Sequence, residues 1–354
     1  MELTIQKAAK LKDKPQDESK LGFGELFTDH MFLMNYTEGQ GWHDARIIPY
    51  TDFSLNPAAM VLHYGQAIFE GMKAYRTPQG SVQLFRPMDN LKRFNRSAER
   101  LCIPAIDCDF VLDALKTLLE LEKDWVPHSE GTSLYIRPFA VATDPHLGVH
   151  VSNTYLFAII LSPVGAYYAE GLKPVKIFVE NEYVRSVRGG MGFAKAAGNY
   201  ACSLIADHEA QKKGCAQVLW LDGVERKYIE EVGSMNIMFN IGGKIVTPPL
   251  RGSILAGITR DSVLKLARQL GLETEERPLT IQEVFDAHEN GTLQEVFGTG
   301  TAAVISPVGG LIWGEKEIVI NGNEIGPTAQ LLYNTLTGIQ YGTVEDKQSW
   351  VLPL

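Results

Sequence analysis

Cysteine is scarce in this chain. Cys102, Cys108, Cys202 and Cys215 are the only four in 354 residues, and none forms a CxxC pair. A disulfide framework or a structural zinc site needs a denser and more regular supply. With no histidine beside them, Cys102 and Cys108 read as buried thiols, and no metal is expected. Long apolar runs are also missing. Although 45% of the residues are hydrophobic, no run reaches the roughly 20 residues that cross a bilayer, so no membrane partner is expected. Positive charge is short as well. Lys and Arg number 33 against 42 Asp and Glu, a net charge of -9, and no basic arm interrupts that balance. Nucleic acid is therefore not the expected partner. The first twenty residues, MELTIQKAAKLKDKPQDESK, lack the apolar centre of a secretory signal and the arginines of a mitochondrial transit peptide. A cytoplasmic location is the expectation.

What is present is a globular profile long enough for two domains. Residues 1–22 read as a loosely ordered arm. The segment SPVGAYYAEGLKP, rich in Pro and Gly, is the expected interdomain connection. It divides an N-terminal domain, 1–163, from a C-terminal domain, 175–354, across a linker at 164–174. Leu91, Phe94, Ala98 and Leu101 share one face of a helix expected to start at an Asp89 N-cap. A second helix is expected from about Asp109. SLYIRPF reads as a strand that ends at Pro138, and TYLFAIIL as a central strand. A helix is expected over 199–213, ended by Gly214. ITRDSVLKLARQLG forms another, with Thr259 as N-cap and Gly271 beyond its end. Strands and helices mix rather than alternate, which favours α+β domains over a doubly wound sheet.

Four stretches could carry chemistry. In GGMGFAKAAGNY, Lys195 is flanked by small residues, and a confined lysine that loses its proton can attack a carbonyl. A solvated lysine after a flexible loop fits the same residues. Gly257-Ile258-Thr259 opens a helix whose N–H groups and dipole suit a phosphate, and Arg86 could add a guanidinium. FGTGTAA nearly matches a dinucleotide fingerprint. The residues after it are strand-like, whereas that fingerprint must open a helix. A turn offering the N–H groups of Thr301 and Ala302 to an anion fits better. In IEEVGSMN, one of Glu230 and Glu231 is expected to face inward and the other water. The inward carboxylate would need a cationic partner.

LFRP, LYIRPF, GGMGFAKAAGNY, EVGSMN, GITRDS and FGTGTAA occur in an order and spacing that resembles the branched-chain aminotransferases. These are fold-type-IV pyridoxal-phosphate enzymes of the class IV aminotransferase family. LHYGQAIFEGMKAYR and VLWLDG strengthen the likeness, which runs from about Phe27 to the C-terminal region. The resemblance implies a two-domain α+β fold with pyridoxal 5′-phosphate in the cleft between domains, and a homodimer. It makes Lys195 the Schiff-base lysine, Tyr200 the partner of the ring hydroxyl and Glu231, rather than Glu230, the partner of the pyridine nitrogen. Arg86, Ile258, Thr259 and Thr301 would hold the phosphate, and Leu255 would pack on the ring. Tyr64, held by Arg137, and the Thr301-Ala302 turn would receive the substrate carboxylate. Phe23, Phe69, Tyr135 and Tyr167 would wall the side-chain pocket. Where the animal members carry a CxxC pair after the Thr-Ala turn, this chain has Ala303-Val304-Ile305-Ser306, so thiol regulation of that kind is not expected.

The implied activity is ping-pong transfer of the amino group of L-leucine, L-isoleucine or L-valine to 2-oxoglutarate. The rivals are a D-amino-acid aminotransferase or aminodeoxychorismate lyase on the same scaffold, a nucleotide-binding oxidoreductase, and a non-catalytic cofactor-binding protein.

Overall fold

The computed structural model describes residues 1–165 and 172–354. By internal contacts the chain divides into two compact units. The first is Met1–Ala169 with Ala194–Gly198 and Ile339–Leu354; the second is Glu170–Phe193 with Asn199–Gly338. The expected linker at 164–174 falls partly on 166–171, outside the described residues. A single boundary there does not anticipate that the lysine-bearing piece 194–198 and the C-terminal piece count with the first unit. The backbone supplies the reason for the former, because the Phe69 N–H donates to the Lys195 carbonyl at 3.1 Å.

The first unit is built on strands β1 (Leu3–Ile5), β2 (His30–Thr37), β3 (Gly41–Pro49), β4 (Ala67–Phe69), β5 (Met72–Arg76), β6 (Val82–Phe85), β7 (Ser133–Ala142) and β8 (Thr154–Val164). They form one sheet in the order β1-β3-β2-β8-β7-β5-β6, with β4 also on β7. Helices α1 (Met60–Tyr64), α2 (Pro87–Arg100) and α3 (Cys108–Leu121) accompany it. The stripe expected on α2, Leu91, Phe94, Ala98 and Leu101, and the apolar residues of α3 at helical spacing, Val111, Leu112, Leu115, Leu118 and Leu119, pack in the core against β2, β5, β7 and β8, with Leu101 and Leu112 only half-buried. Each large side chain buried in this way contributes about 1.5–3 kcal/mol, so the stripe seats α2, whose Ser97 then reaches the candidate site. Two expectations need correcting. Helix α2 begins at Pro87 with Arg86 as N-cap, not at Asp89, because proline is suited to the first helical position. Strand β7 runs through Pro138 instead of stopping there. Pro138 lies where the neighbour of β7 changes from β5 to β4, so its missing N–H breaks no ladder, and its carbonyl accepts from the Glu70 N–H at 2.7 Å.

The second unit holds β9 (Val175–Val179), β10 (Gln217–Leu221), β11 (Ile229–Val232), β12 (Met235–Ile241), β13 (Lys244–Thr247), β14 (Glu273–Glu276), β15 (Leu293–Gly300), β16 (Val304–Trp313) and β17 (Lys316–Val319). Strands β11, β10, β9, β16, β15 and β12 are hydrogen-bonded in that order, and β11 also pairs with β12, which closes the ring into a barrel. The helices of this unit are α5 (Leu204–Lys212), α6 (Ile258–Gln269), α7 (Ile281–Glu289) and most of α8 (Pro327–Tyr341), with α4 (Ala197–Ala201) divided between the two units. The single helix expected over 199–213 is therefore two, α4 and α5. The N-cap of α6 is Gly257 rather than Thr259, and Thr259 is buried inside the first turn. A last strand, β18 (Val351–Pro353), pairs with β6 in the first unit.

Candidate active site

Lys195 is fixed through its backbone before its side chain is considered. Its N–H donates to Ser97 Oγ on α2 at 2.9 Å, its carbonyl accepts from Phe69, and Ala196 bridges to Ile68. Ala194 and Ala196 are buried, which is why small residues flank the lysine. The ammonium lies 4.8 Å from the Phe69 ring centroid. Phe69 precedes a turn that is itself braced: Arg93 on α2 binds buried Glu70 through two hydrogen bonds of 2.7 and 2.9 Å. Such a pair, buried with its acceptors satisfied, specifies geometry more than it stabilises.

The same unit gathers the expected pocket walls. Phe23 packs edge-on against Tyr135 with centroids 4.9 Å apart. Arg137 lies over Phe69 at 4.7 Å and donates to the Tyr135 hydroxyl at 3.0 Å. Arg137 thus holds Tyr135 and not Tyr64, whose hydroxyl donates to the Leu147 carbonyl. The reason is strand alternation: residues 135 and 137 share one face of β7. Tyr167 lies outside the described residues. Arg86 has φ 50° and bonds Asp89 at 2.7 Å. Lys73, which the motifs did not single out, pairs across β5 and β7 with Tyr135. Burial pushes its ammonium down to about 8.

In the second unit Glu231 is the centre of a polar cluster. Its carboxylate binds Arg185 at 2.6 Å, with both side chains buried, and accepts from Asn236 Nδ2 at 3.2 Å. Asn236 lies directly opposite on β12 and also donates to the Leu255 carbonyl at 2.9 Å. Glu230, expected in water, is buried as well. Ser253 Oγ donates to one of its oxygens, and the other has no partner. Burial pushes this carboxyl up, against the opposing pull of the Ser253 hydrogen bond and Arg185.

Helix α6 starts at Gly257, whose missing side chain leaves no cap. A Cβ there would lie 2.0 Å from Asn236 Oδ1, so glycine lets the helix start abut the Glu231 cluster. Ile258 and Thr259 form its first turn, and Thr301 and Ala302 form the turn between β15 and β16. Tyr200 lies on α4. Sequence reasoning missed Arg185, Asn236, Lys73 and the Glu70–Arg93 pair, since none has a spacing that marks it; a charge expected inside a strand was the one available signal for Lys73.

The amino-transferase class IV family matches residues 67–311. Branched-chain-amino-acid aminotransferase 2 of Bacillus subtilis (strain 168) is 60% identical over 96% of this chain and 93% of its own length. The probable branched-chain-amino-acid aminotransferase of Staphylococcus epidermidis is 58% identical over 98% of this chain and 96% of its own. Among solved structures, the branched-chain amino acid aminotransferase of Escherichia coli superimposes with a TM-score of 0.75 at 28% identity, covering 91% of this chain and 98% of that one. The branched-chain amino acid aminotransferase from Thermobaculum terrenum, in its PLP-bound holo form, gives 0.71 at 25% identity, over 91% and 97%. The chain belongs to the class IV aminotransferases of fold type IV, in the branched-chain-amino-acid aminotransferase family.

Proposed function

We propose that this enzyme transfers the amino group of L-leucine, L-isoleucine or L-valine to 2-oxoglutarate, reversibly and in two half-reactions. What carries the reading is 60% identity over 96% of the chain to a branched-chain-amino-acid aminotransferase. The residues present fit pyridoxal 5′-phosphate. A buried carboxylate already matched to a cation suits a ring nitrogen that must stay protonated. An α-helix start built on glycine suits a phosphate.

Glu231 would hold the ring nitrogen and Tyr200 the ring hydroxyl, with Leu255 packed on the ring. Arg86, Ile258, Thr259 and Thr301 would hold the phosphate. Tyr64, Arg137 and the Thr301-Ala302 turn would take the substrate carboxylate. Phe23, Phe69, Tyr135 and Tyr167 would surround its apolar side chain. When bound, the cofactor supplies a carbonyl that condenses with amines and a pyridinium that withdraws electrons from the substrate Cα. Lys195 Nζ would take the Cα proton and later return one, acting as base and then acid. Its fixed backbone keeps Nζ within reach, and the aromatic walls exclude water from the exchange. Discrimination by such walls is modest, roughly 1–3 kcal/mol per methylene, so all three branched side chains are accepted.

A homodimer is part of the proposal, supported by the exposed apolar residues Leu62 and Tyr64 of α1 and Leu147 and Val149 of the loop that Tyr64 touches. So is a cytoplasmic setting, which suits the exposed free thiols of Cys202 and of Cys102; the latter was expected to be buried, as was Cys108, which is half-buried. Among the described residues no helix is long and apolar enough to cross a membrane.

The experiment is visible absorbance of the purified protein with L-leucine, then 2-oxoglutarate, beside Lys195→Ala. The expected result is a band that bleaches with leucine, returns with 2-oxoglutarate and is missing from the variant. A band that ignores L-leucine and answers D-alanine would overturn the substrate assignment.

A further inference from the structure

Arg185 is not among the residues assigned to cofactor or substrate, yet its guanidinium touches three separate pieces of the second unit. It binds Glu231 on β11 at 2.6 Å. It donates to the Ser253 carbonyl, in the loop before α6, at 3.2 Å. It also donates to the Gly192 carbonyl, in the glycine-rich loop before Lys195, at 3.4 Å. The side chain is 7% exposed, so these contacts are made away from water, where a charge-assisted bond is strongest. Gly192 is required by the same packing. A Cβ there would lie 1.9 Å from the Ser253 carbonyl oxygen and 2.3 Å from Ser186 Oγ. The glycine loop therefore closes on the loop before α6, and the guanidinium bonds a carbonyl of each.

Charge balance gives the arrangement its chemical meaning. Two adjacent carboxyls, Glu230 and Glu231, are buried beside one guanidinium in direct contact with only one of them. Glu231 has the cation; Glu230 has the Ser253 hydroxyl and an oxygen with no partner. The other charges facing Glu230 are Arg188, in the loop after β9, and Asp222, after β10, and they act in opposite senses. One buried cation cannot balance two buried anions, so the ionised carboxyl is the one it touches.

We propose that Arg185 is a positioning residue that keeps Glu231 ionised and aimed, and that locks the glycine loop and the loop before α6 to it. The inference rests on the assignment of Glu231 to the cofactor's ring nitrogen. Without Arg185, Glu231 takes up a proton and no longer matches a protonated ring, so Arg185→Gln behaves like Glu231→Gln.

The test is a pH titration of the holoenzyme's visible band, together with the dissociation constant for pyridoxal 5′-phosphate. It compares the wild type with Arg185→Lys, Arg185→Gln, Glu231→Gln and the double variant. Glu231→Gln is expected to move the band's midpoint and weaken cofactor binding roughly ten- to a hundredfold. Arg185→Gln should shift both in the same direction, the double variant should add little, and Arg185→Lys should recover part of each. If Glu231→Gln moves the midpoint and both Arg185 variants leave it in place while lowering the melting temperature, Arg185 is only structural and the inference is overturned. If Glu231→Gln itself leaves the midpoint unmoved, the ring-nitrogen assignment fails, and the inference fails with it.

Discussion

Glu230 is a buried acid with one hydrogen bond and no cation of its own. Holding it costs the folded state free energy that depends on pH. Its pKa is raised in the fold by burial, so its contribution to stability is fully present below the ordinary carboxylate range. That contribution is lost as pH rises toward the folded value. Glu230→Gln removes the dependence, because an amide has nothing to ionise. Thermal melts at pH 4 and pH 7 check this: the variant should gain on the wild type as pH rises. An equal difference at both values would show that Glu230 carries no raised pKa. Of the adjacent pair, the motif singled out Glu231, and the structure gives that residue the cation. That Glu230 is buried too could not be read from strand alternation, because in a closed barrel the outward face can be covered by loops, here the one containing Ser253.

Among the elements, the glycine-rich loop before Lys195 was legible either as the wall of a confined lysine or as a flexible loop. Its glycines suggested freedom, whereas Gly192 is there for contact: any side chain would strike the Ser253 carbonyl. Gly192→Ala should therefore push apart two loops that Arg185 bonds. Equilibrium dialysis is expected to show cofactor affinity reduced about tenfold or more, with the far-ultraviolet spectrum unchanged. Unchanged affinity would mean that the loops can separate without consequence. Helical stripes and apolar strands were legible because burial imposes periods of 3.6 and 2 residues. Element ends were less so. Arg86 as N-cap, the passage of β7 through Pro138 and the break between α4 and α5 each depend on which neighbour supplies or forgoes one hydrogen bond. Local sequence carries no record of that neighbour.

For the molecule as a whole, the first unit leaves large apolar side chains in water on α1 and on the loop 144–151. Leu62 is 59% exposed, Leu147 65% and Val149 81%, and Tyr64 among them is 41% exposed. The Tyr64 hydroxyl reaches across to the Leu147 carbonyl, so α1 and the loop 144–151 form one continuous patch. A group of large apolar side chains left in water is a mark of association. Its place beside a residue assigned to substrate binding ties association to activity. Val149→Asp puts a charge in the patch without altering any hydrogen bond described around it. Sedimentation of the wild type should give twice the chain mass. The variant should dissociate at concentrations where the wild type does not, and its KM for leucine should rise as it does. Were it to dissociate with kinetics intact, the subunit contact would be independent of the substrate site. A wild type sedimenting at the mass of a single chain would remove the dimer altogether. The outcome fixes whether Tyr64, which Arg137 does not hold, owes its position to its own chain or to a second copy.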